Sequence, residues 1–170
     1  MNRHFTRSLS AITVLGFALL PGIAISQQQS LKEQLVGTWT LVSLVNTTPS
    51  GTKRDLFGVN PKGLLIFDAG GRYVSVATKR DRTEFKSRNR EKWTPDEYKA
   101  AILGTRAQFG TWSVNETNRV LIQHIEGSIT PNNDGTEAKR SISFAGDELT
   151  LATTDVAREG SNVMVYRRAK

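Results

Sequence analysis

The chain has 170 residues, with 23 basic and 16 acidic side chains, a net charge of +7 and no cysteine. This length is enough to bury the core of one domain, and the missing cysteine excludes disulfides and a thiol nucleophile. Neither a phosphate-binding glycine loop nor a Gly-x-Ser-x-Gly turn occurs. The composition and motifs therefore argue against the common nucleotide-binding and hydrolase chemistries.

The N-terminus has the pattern of a secretory signal peptide. Arg3 and Arg7 form a basic start, an apolar run extends from Leu9 to Leu20, and Ala24 and Ser26 are small residues that fit a cleavage site. A membrane anchor is the alternative, but this run is shorter than the about 20 apolar residues of a spanning helix. We therefore expect cleavage after about 26 residues.

The expected domain organisation follows from that cleavage. We predict that residues 1–26 are removed, that residues 27–34 form a flexible N-terminus, and that residues 35–168 form one domain. The removed segment holds two basic residues and no acidic one, so the exported part keeps a net charge of +5. Export without disulfides is typical of the bacterial periplasm or the medium, where we expect a monomer.

One basic segment, Lys79 to Lys92, holds seven basic and three acidic residues. A nucleic-acid-binding protein spreads its charge over a binding face, so we expect no nucleic-acid partner. Three interpretations of the segment stay open. It is a solvated loop, it makes a peripheral contact with an anionic membrane surface, or it steers an anionic ligand towards a cavity.

Eight strand-like segments alternate with turn signals along the domain. A meander of this size closes into a barrel, because closure removes its exposed edges. We predict an all-β fold, a single eight-stranded up-and-down antiparallel barrel. The predicted strands are Leu35 to Asn46, Leu64 to Phe67, Arg72 to Lys79, Phe109 to Asn115, Arg119 to Gly127, Thr136 to Phe144, Glu148 to Thr154 and Asn162 to Arg168.

A short helix interrupts the meander in a long connection. Thr94 is a capping residue, Pro95 follows at the first helical position, and Gly104 ends the helix. Tyr98 and Ile102 lie on its apolar face, so we expect them to pack near one barrel opening. Connections this long are often functional lids or disordered stretches.

The alternation of strand faces predicts a polar patch inside the barrel. Arg140 shares a face with Phe144 on a strand whose other face is polar. If the preceding turn is centred on Asn132, antiparallel pairing sets His124 opposite Arg140. Glu126 is then a diagonal neighbour on the same face.

We predict that Trp112 and Val114, which share a face on the adjacent strand, line the same pocket. A patch of Arg, His and Glu side chains can bind a ligand carboxylate or transfer protons. The alternative is an internal salt bridge that stabilises a buried Arg140. A shift of the strand register by one residue would turn His124 outward.

Several motifs together resemble the lipocalin-like domain family of bacteria and fungi. Gly37-Thr38-Trp39 is similar to the Gly-x-Trp signature of lipocalin barrels, and Tyr166-Arg167-Arg168 is similar to the aromatic-x-Arg ending of the family. The resemblance covers Leu35 to Arg168 and includes the hairpin from Gly63 to Val76, the Thr94 helix, Gly110-Thr111-Trp112, His124-Ile125-Glu126, Arg140 and Gly146 to Leu149.

The resemblance implies a lipocalin- or calycin-like barrel with a central cavity. It also implies that Trp39 closes one end of the barrel and that Arg168 stacks over its ring. Tyr166 stands where the family usually has Trp, which is a conservative departure. The family mostly lacks a defined activity, so the resemblance does not name a ligand.

Three functions are compatible with these features. The first is an exported carrier of a small, partly apolar molecule, either neutral or anionic, with His124, Glu126, Arg140, Trp112, Val114 and Phe144 lining its site. The second is an isomerase or cyclase that uses the His124, Glu126 and Arg140 patch for acid–base chemistry. The third is an interaction protein of the cell envelope. We expect binding of a lipophilic or amphipathic ligand rather than catalysis, and no cofactor or metal.

Overall fold

The computed structural model describes residues 29–153 and 160–170. The predicted signal peptide, residues 1–26, lies outside these residues. Within the described part of the chain, no helix is both long enough and apolar enough to cross a membrane.

The strands form one antiparallel sheet in which each pairs with its neighbour in the chain, except around a short inserted strand. The last strand pairs back onto the first, from Trp39 with Arg168 to Thr47 with Ser161, and this closes the barrel. The predicted eight-stranded antiparallel barrel is confirmed. The strands are β1 (Gly37–Thr47), β2 (Lys53–Asp55), β3 (Lys62–Phe67), β4 (Arg72–Thr78), β5 (Thr105–Asn115), β6 (Val120–Ser128), β7 (Glu137–Ala145), β8 (Glu148–Thr153) and β9 (Ser161–Arg168).

The inserted strand, β2, was not expected from the sequence. It has three exposed residues and pairs with the end of β1, beyond the part of β1 that pairs with β3. All three residues of β2 are charged, so the segment has no alternation of apolar and polar positions. The alternation used to predict strands therefore does not reveal it.

A five-residue helix, α1 (Leu31–Leu35), lies in the segment that was expected to be flexible. Ser30 and Glu33 form a capping box, and Leu31 and Leu35 are buried. The Glu116 carboxylate accepts hydrogen bonds from the backbone N–H groups of Leu31 and Lys32, both at 3.0 Å. The helix is therefore ordered by contacts with a distant turn, which a local pattern cannot reveal.

The predicted helix in the long connection is α2 (Pro95–Leu103), which begins with the capping box of Thr94 and Glu97. The expected packing of its apolar face was wrong, because Tyr98 and Ile102 are both exposed. The Tyr98 ring instead contacts Trp93 within the connection itself, with 5.4 Å between ring centroids.

One end of the barrel, here called the base, is filled by aromatic rings. Trp39 lies 6.0 Å from Phe144, and Phe67 lies 4.8 Å from Trp112, measured between centroids. Helix α1 covers this end, and the Trp39 indole donates a hydrogen bond to the Leu35 carbonyl at 2.8 Å. The base is a packed apolar core.

Glycines allow two close approaches in this framework. Gly37 has φ of 126°, and a Cβ there would lie 3.0 Å from Nη1 of Arg168. At Gly110, beside a β-bulge between β5 and β6, a Cβ would lie 2.0 Å from the His124 carbonyl oxygen. The two Gly-Thr-Trp motifs thus begin with glycine for reasons of space and backbone conformation.

Candidate functional site

Above the aromatic base, the barrel interior becomes polar around Arg140. This residue lies on the inner face of β7, and only 6% of its surface is exposed. Its Nη1 group donates a hydrogen bond to Oε1 of Gln123, which lies on the inner face of β6. Among the described residues, Nε of Arg140 has no hydrogen-bond partner. The buried guanidinium of Arg140 therefore uses only some of its hydrogen-bond donors.

A second polar pair lies on the neighbouring strands. The Gln108 amide of β5 donates a hydrogen bond to the Tyr73 hydroxyl of β4 at 3.2 Å, and both residues are buried. Strand order places β4 and β5 next to β6 and β7. The inner faces of four consecutive strands thus carry polar groups that are withdrawn from solvent.

A cavity of about 10 Å³ lies within this polar region. That volume holds about one water molecule or one small ion. Its polar lining residues are Ser75, Arg106, Gln108, Gln123, Arg140 and Tyr166. Its apolar lining residues are Leu41, Leu44, Leu65, Ala77, Leu151 and Met164.

The charge around the cavity is positive. Burial, and secondarily the nearby charge of Arg106, lowers the pKa of Arg140 from its ordinary value to about 10. Arg140 thus remains a cation at neutral pH. No Asp or Glu side chain lines the cavity within the described part of the chain. Among the described residues, no carboxylate therefore compensates the buried charge of Arg140, as one usually does for a buried cation.

Two buried tyrosines complete the polar region. Burial raises the pKa of Tyr166 and of Tyr73 above the ordinary value, and the charges of Arg106 and Arg140 oppose this rise. Both hydroxyls are therefore neutral at physiological pH, and neutral hydroxyls can donate hydrogen bonds to an anion. Of the two phenols, that of Tyr166 lines the cavity, where it can stabilise one negative charge together with the guanidinium groups of Arg106 and Arg140.

The predicted positions of His124 and Glu126 were wrong. Arg140 pairs with Leu121, and His124 pairs with Glu137. Both His124 and Glu126 are exposed on the outer face of the barrel. The Glu126 carboxylate forms an ion pair with Arg72, with 2.6 Å between Oε1 and Nη1. Because Arg140 points inward, the three residues do not form one patch, and the acid–base arrangement and the internal salt bridge are both absent.

The turn between β6 and β7 explains the difference. It is asymmetric, with a short 3₁₀ turn at Pro131–Asn133 and Gly135 at φ of 75°. The residue that pairs with Arg140 is Leu121, three positions before His124. Successive strand residues point to opposite faces, so a register that differs by an odd number of positions places His124 on the outer face.

The other predicted lining residues point inward but lie in the base. Trp112 is buried, donates a hydrogen bond from its indole to the Asp68 carbonyl at 3.2 Å, and packs on Phe67. Val114 and Phe144 are partly buried against the same core. Trp112, Val114 and Phe144 therefore belong to the packed core, and none of the three lines the cavity.

Several cavity residues were missed from the sequence. Arg106 and Gln108 share a face with Trp112 along β5, and extending that alternation would have found them. Gln123 lies on the face of β6 that composition left ambiguous. Tyr166 was noted only as a departure from the family ending. The alternation of residues along β5 was thus sufficient to predict its cavity residues, whereas the alternation along β6 was not.

No group of three or more His, Asp or Glu side chains within residues 29–153 and 160–170 is arranged to hold a metal ion. The donor set of the cavity consists of guanidinium, amide, phenol and hydroxyl groups. Cationic guanidinium groups repel metal ions, and this set is suited to an anion.

Residues 36–168 match the family described as the lipocalin-like domain. The chain belongs to this family, which confirms the resemblance inferred from its motifs. No curated protein matches the chain.

The chain is also similar to solved structures of low sequence identity. A lipocalin-like protein from Bacteroides uniformis ATCC 8492 has 14% identity and a TM-score of 0.42, over 79% of this chain and 98% of that chain. An uncharacterized protein from Bacteroides eggerthii DSM 20697 has 12% identity and a TM-score of 0.40, over 79% and 99%. A mutant of the fluorescent protein UnaG has 16% identity and a TM-score of 0.36, over 81% and 97%.

Proposed function

We propose that this protein binds a small, partly apolar molecule inside the barrel and holds its anionic group against Arg140 and Arg106. A lipocalin-like barrel is suited to binding small molecules. The proposal rests on the buried guanidinium of Arg140, which has no carboxylate partner among the described residues.

The energetics of burial support an anionic ligand. A buried charge is costly unless it is paired and hydrogen-bonded. Gln123 supplies one neutral acceptor to Arg140, and Nε still lacks a partner among the described residues. A ligand carboxylate would provide both the missing acceptor and the missing negative charge, and guanidinium–carboxylate pairs are among the stronger hydrogen-bonded pairs.

The size of the cavity restricts the ligand. About 10 Å³ accommodates a small anionic group but no hydrocarbon chain. An apolar tail must displace lining side chains, and Met164, whose unbranched side chain adapts to irregular shapes, is one of them. We therefore propose a ligand whose carboxylate binds first and whose apolar part displaces lining side chains such as Met164.

The acid–base mechanism considered for His124, Glu126 and Arg140 is not proposed. His124 and Glu126 lie on the outer face, and Arg140 lies inside.

Calorimetric titration with decanoate and with decanol tests the proposal. Both ligands have the same chain length, and only decanoate is charged at neutral pH. We expect decanoate to bind more tightly, and Arg140→Met to remove that preference while leaving decanol binding unchanged. His124→Gln is the matched control on the outer face and should bind both ligands like the wild type. Equal affinity of the wild type for both ligands, or no binding of either, would overturn the proposal.

We also propose that the protein is exported to the periplasm or the medium and acts there as a monomer. The signal pattern of residues 1–26 supports this proposal. The mass of the protein isolated from its host tests cleavage, because an intact N-terminus would contradict export. Light scattering of the same sample tests the monomer.

A second candidate function is a peripheral contact of residues 79–92 with an anionic surface. A groove of about 520 Å³ beside this segment favours it. The groove is lined by five basic residues and one acidic residue, and the basic ones are Lys62, Lys79, Arg80, Arg82 and Arg88. Binding to vesicles that contain phosphatidylglycerol, and its loss in high salt, tests this contact.

A further inference from the structure

The outer wall of the barrel carries an apolar patch that the ligand proposal does not use. Five large side chains of β3, β4 and β5 point away from the interior and are between 40% and 48% exposed. They are Leu64, Ile66, Val74, Val76 and Phe109. We call this set the apolar wall.

The members of the apolar wall are direct neighbours. Leu64 pairs with Val76, Ile66 pairs with Val74, and Val74 pairs with Phe109 on the next strand. The Phe109 ring extends over Gly127 of β6, where a Cβ would lie 2.6 Å from the ring. The exposed apolar side chains thus form one continuous surface, and continuous exposed apolar surfaces mark sites of interaction.

The apolar wall is continuous with the basic groove. Lys62 precedes Leu64 on the same outer face of β3, and it pairs with Thr78. Both Lys62 and Thr78 border the apolar wall and also line the groove. An apolar surface therefore meets a basic surface at the end of the β3–β4 hairpin.

Two observations favour a lipid surface over a protein partner. Four of the five wall residues are Leu, Ile or Val, whereas protein interfaces derive most of their affinity from Trp, Tyr and Arg, with Leu and Val under-represented. Aromatic and basic side chains beside aliphatic ones are typical of segments that lie in a membrane interface, and the groove adds Phe85 and Trp93 to its basic residues.

Charge disfavours a second copy of this chain as the occupant. Two apolar walls packed face to face in a parallel orientation would bring two basic grooves together, and in an antiparallel orientation both grooves would lack an anionic partner. Like charges held near each other across an interface oppose association. Anionic headgroups, in contrast, complement the groove while the acyl region accepts the wall.

We infer that the apolar wall, together with the basic groove, docks side-on onto an anionic phospholipid surface. The inference rests on the peripheral contact proposed above and adds the aliphatic side chains that enter the lipid. The groove binds headgroup phosphates, and Leu64, Val76 and Phe109 lie at the boundary of the acyl chains.

Cosedimentation with vesicles tests the inference. The vesicles contain equal parts of phosphatidylglycerol and phosphatidylcholine, or phosphatidylcholine alone. We expect binding only to the anionic vesicles, with about fivefold weaker binding for each of Lys62→Gln and Arg82→Gln. The double substitution Leu64→Thr and Val76→Thr should weaken binding by about tenfold or more, because it removes apolar surface from the lipid.

Matched controls lie on the other side of the barrel. Lys139→Gln on β7 removes an outward lysine, and Val165→Thr on β9 removes an outward valine. Both should bind like the wild type. Threonine is compatible with a strand, and unchanged thermal unfolding confirms that each variant is folded. All variants carry the same N-terminus, so differences between them report the wall and the groove.

A direct readout of insertion uses Phe109→Trp and brominated phosphatidylglycerol. We expect the introduced indole to be quenched on binding, and the matched substitution Val165→Trp to be quenched much less.

The outcomes distinguish the peripheral contact of residues 79–92 from the docking of the apolar wall. Failure of the wild type to bind anionic vesicles at low salt overturns both the contact and the wall. Binding that depends on Lys62 and Arg82 but is unchanged in the Leu64 and Val76 variant overturns the wall alone. A dimer in light scattering that dissociates on Leu64→Thr would assign the wall to a second copy and overturn lipid docking.

Discussion

The guanidinium carbon of Arg168 lies 4.1 Å from the centroid of the Trp39 ring. The two residues are also register partners on β9 and β1, where the barrel closes. Arg168 donates hydrogen bonds to the carbonyls of Val36, at 3.1 Å, and of Gln34. One side chain thus connects the last strand, the first strand and the end of α1, which is the base arrangement that the family resemblance implied.

Replacement of Trp39 should be among the most destabilising single changes in this barrel. Trp39 is almost fully buried and its indole is hydrogen-bonded to Leu35. Trp39→Ala should lower the free energy of unfolding by about 3–5 kcal/mol, and Arg168→Met by about 0.5–2 kcal/mol from the lost cation–π contact. Urea unfolding measures both.

Arg167→Gln is the neighbouring control. Arg167 points outward and makes exposed ion pairs with Glu148 and Asp147. Exposed ion pairs contribute about 0–1 kcal/mol. An effect of Arg167→Gln larger than that of Arg168→Met would contradict the assignment of Arg168 to the base.

The barrel could be predicted from the sequence because the features that indicate it are local in the chain. Alternation within β7 correctly placed Arg140 and Phe144 inside, and short turns correctly implied consecutive antiparallel pairing. The capping residue Thr94 correctly placed the start of α2. Each of these features depends on residues close together in the chain.

The site required the register of two strands, and the sequence did not determine it. The face of β6 is ambiguous because both of its sides carry apolar residues, so the prediction for His124 depended on a symmetric turn. The 3₁₀ turn at Pro131–Asn133 broke that symmetry. Helix α1 was missed for a related reason, since Glu116, which binds its N-terminus, is distant in the chain.

Removal of the buried pair of Arg140 and Gln123 should stabilise the free protein. Arg140 is a buried charge with no carboxylate partner in the described part of the chain, and replacing buried charged groups with apolar ones can raise stability by about 1–4 kcal/mol. We expect this gain in urea unfolding for the double variant Arg140→Met and Gln123→Leu. Arg140→Met alone should gain less, because an unpaired buried Gln123 costs about 1–3 kcal/mol.

A loss of stability in the double variant would show that Arg140 has a structural role. Ser141→Ala is a control on the adjacent outer face of β7, where the residue is exposed. It should change the free energy of unfolding by less than about 0.5 kcal/mol.

Trypsin should cleave the segment of residues 79–92 before it cleaves the barrel strands. The segment is mostly exposed and rich in basic residues. Trp93 holds it through an edge contact with Phe85 at 4.5 Å and a 2.7 Å hydrogen bond to the Ser87 carbonyl. Trp93→Ala should therefore accelerate this cleavage several-fold, as measured by mass spectrometry of the fragments.

Tyr98→Phe is the control for that experiment. It removes the 2.6 Å hydrogen bond from the Tyr98 hydroxyl to the Arg90 carbonyl and keeps the ring contact with Trp93. Its effect should be smaller than that of Trp93→Ala. Initial cleavage within a strand of the barrel would contradict the prediction.

The affinity for decanoate should fall when the pH rises above about 10. Burial and the charge of Arg106 lower the pKa of Arg140 to about 10 in the free protein, whereas decanoate stays ionised throughout. Affinity measured by calorimetry should be constant between about pH 7 and 9 and then decrease by up to about tenfold per pH unit. The raised pKa values of Tyr73 and Tyr166 keep both phenols neutral at the start of this decrease.

Above about pH 10, the contribution of Arg140 to the free energy of unfolding changes in the opposite direction to the affinity for decanoate. Its pKa is lower in the folded protein than in the unfolded chain, so above about pH 10 the unfolded chain binds more protons and this contribution rises with pH. Circular dichroism at each pH confirms that the protein is folded. Arg140→Met should show a flat profile for decanoate up to pH 10.5, and a fall in that variant equal to that of the wild type would mean that another group controls the binding of the anion.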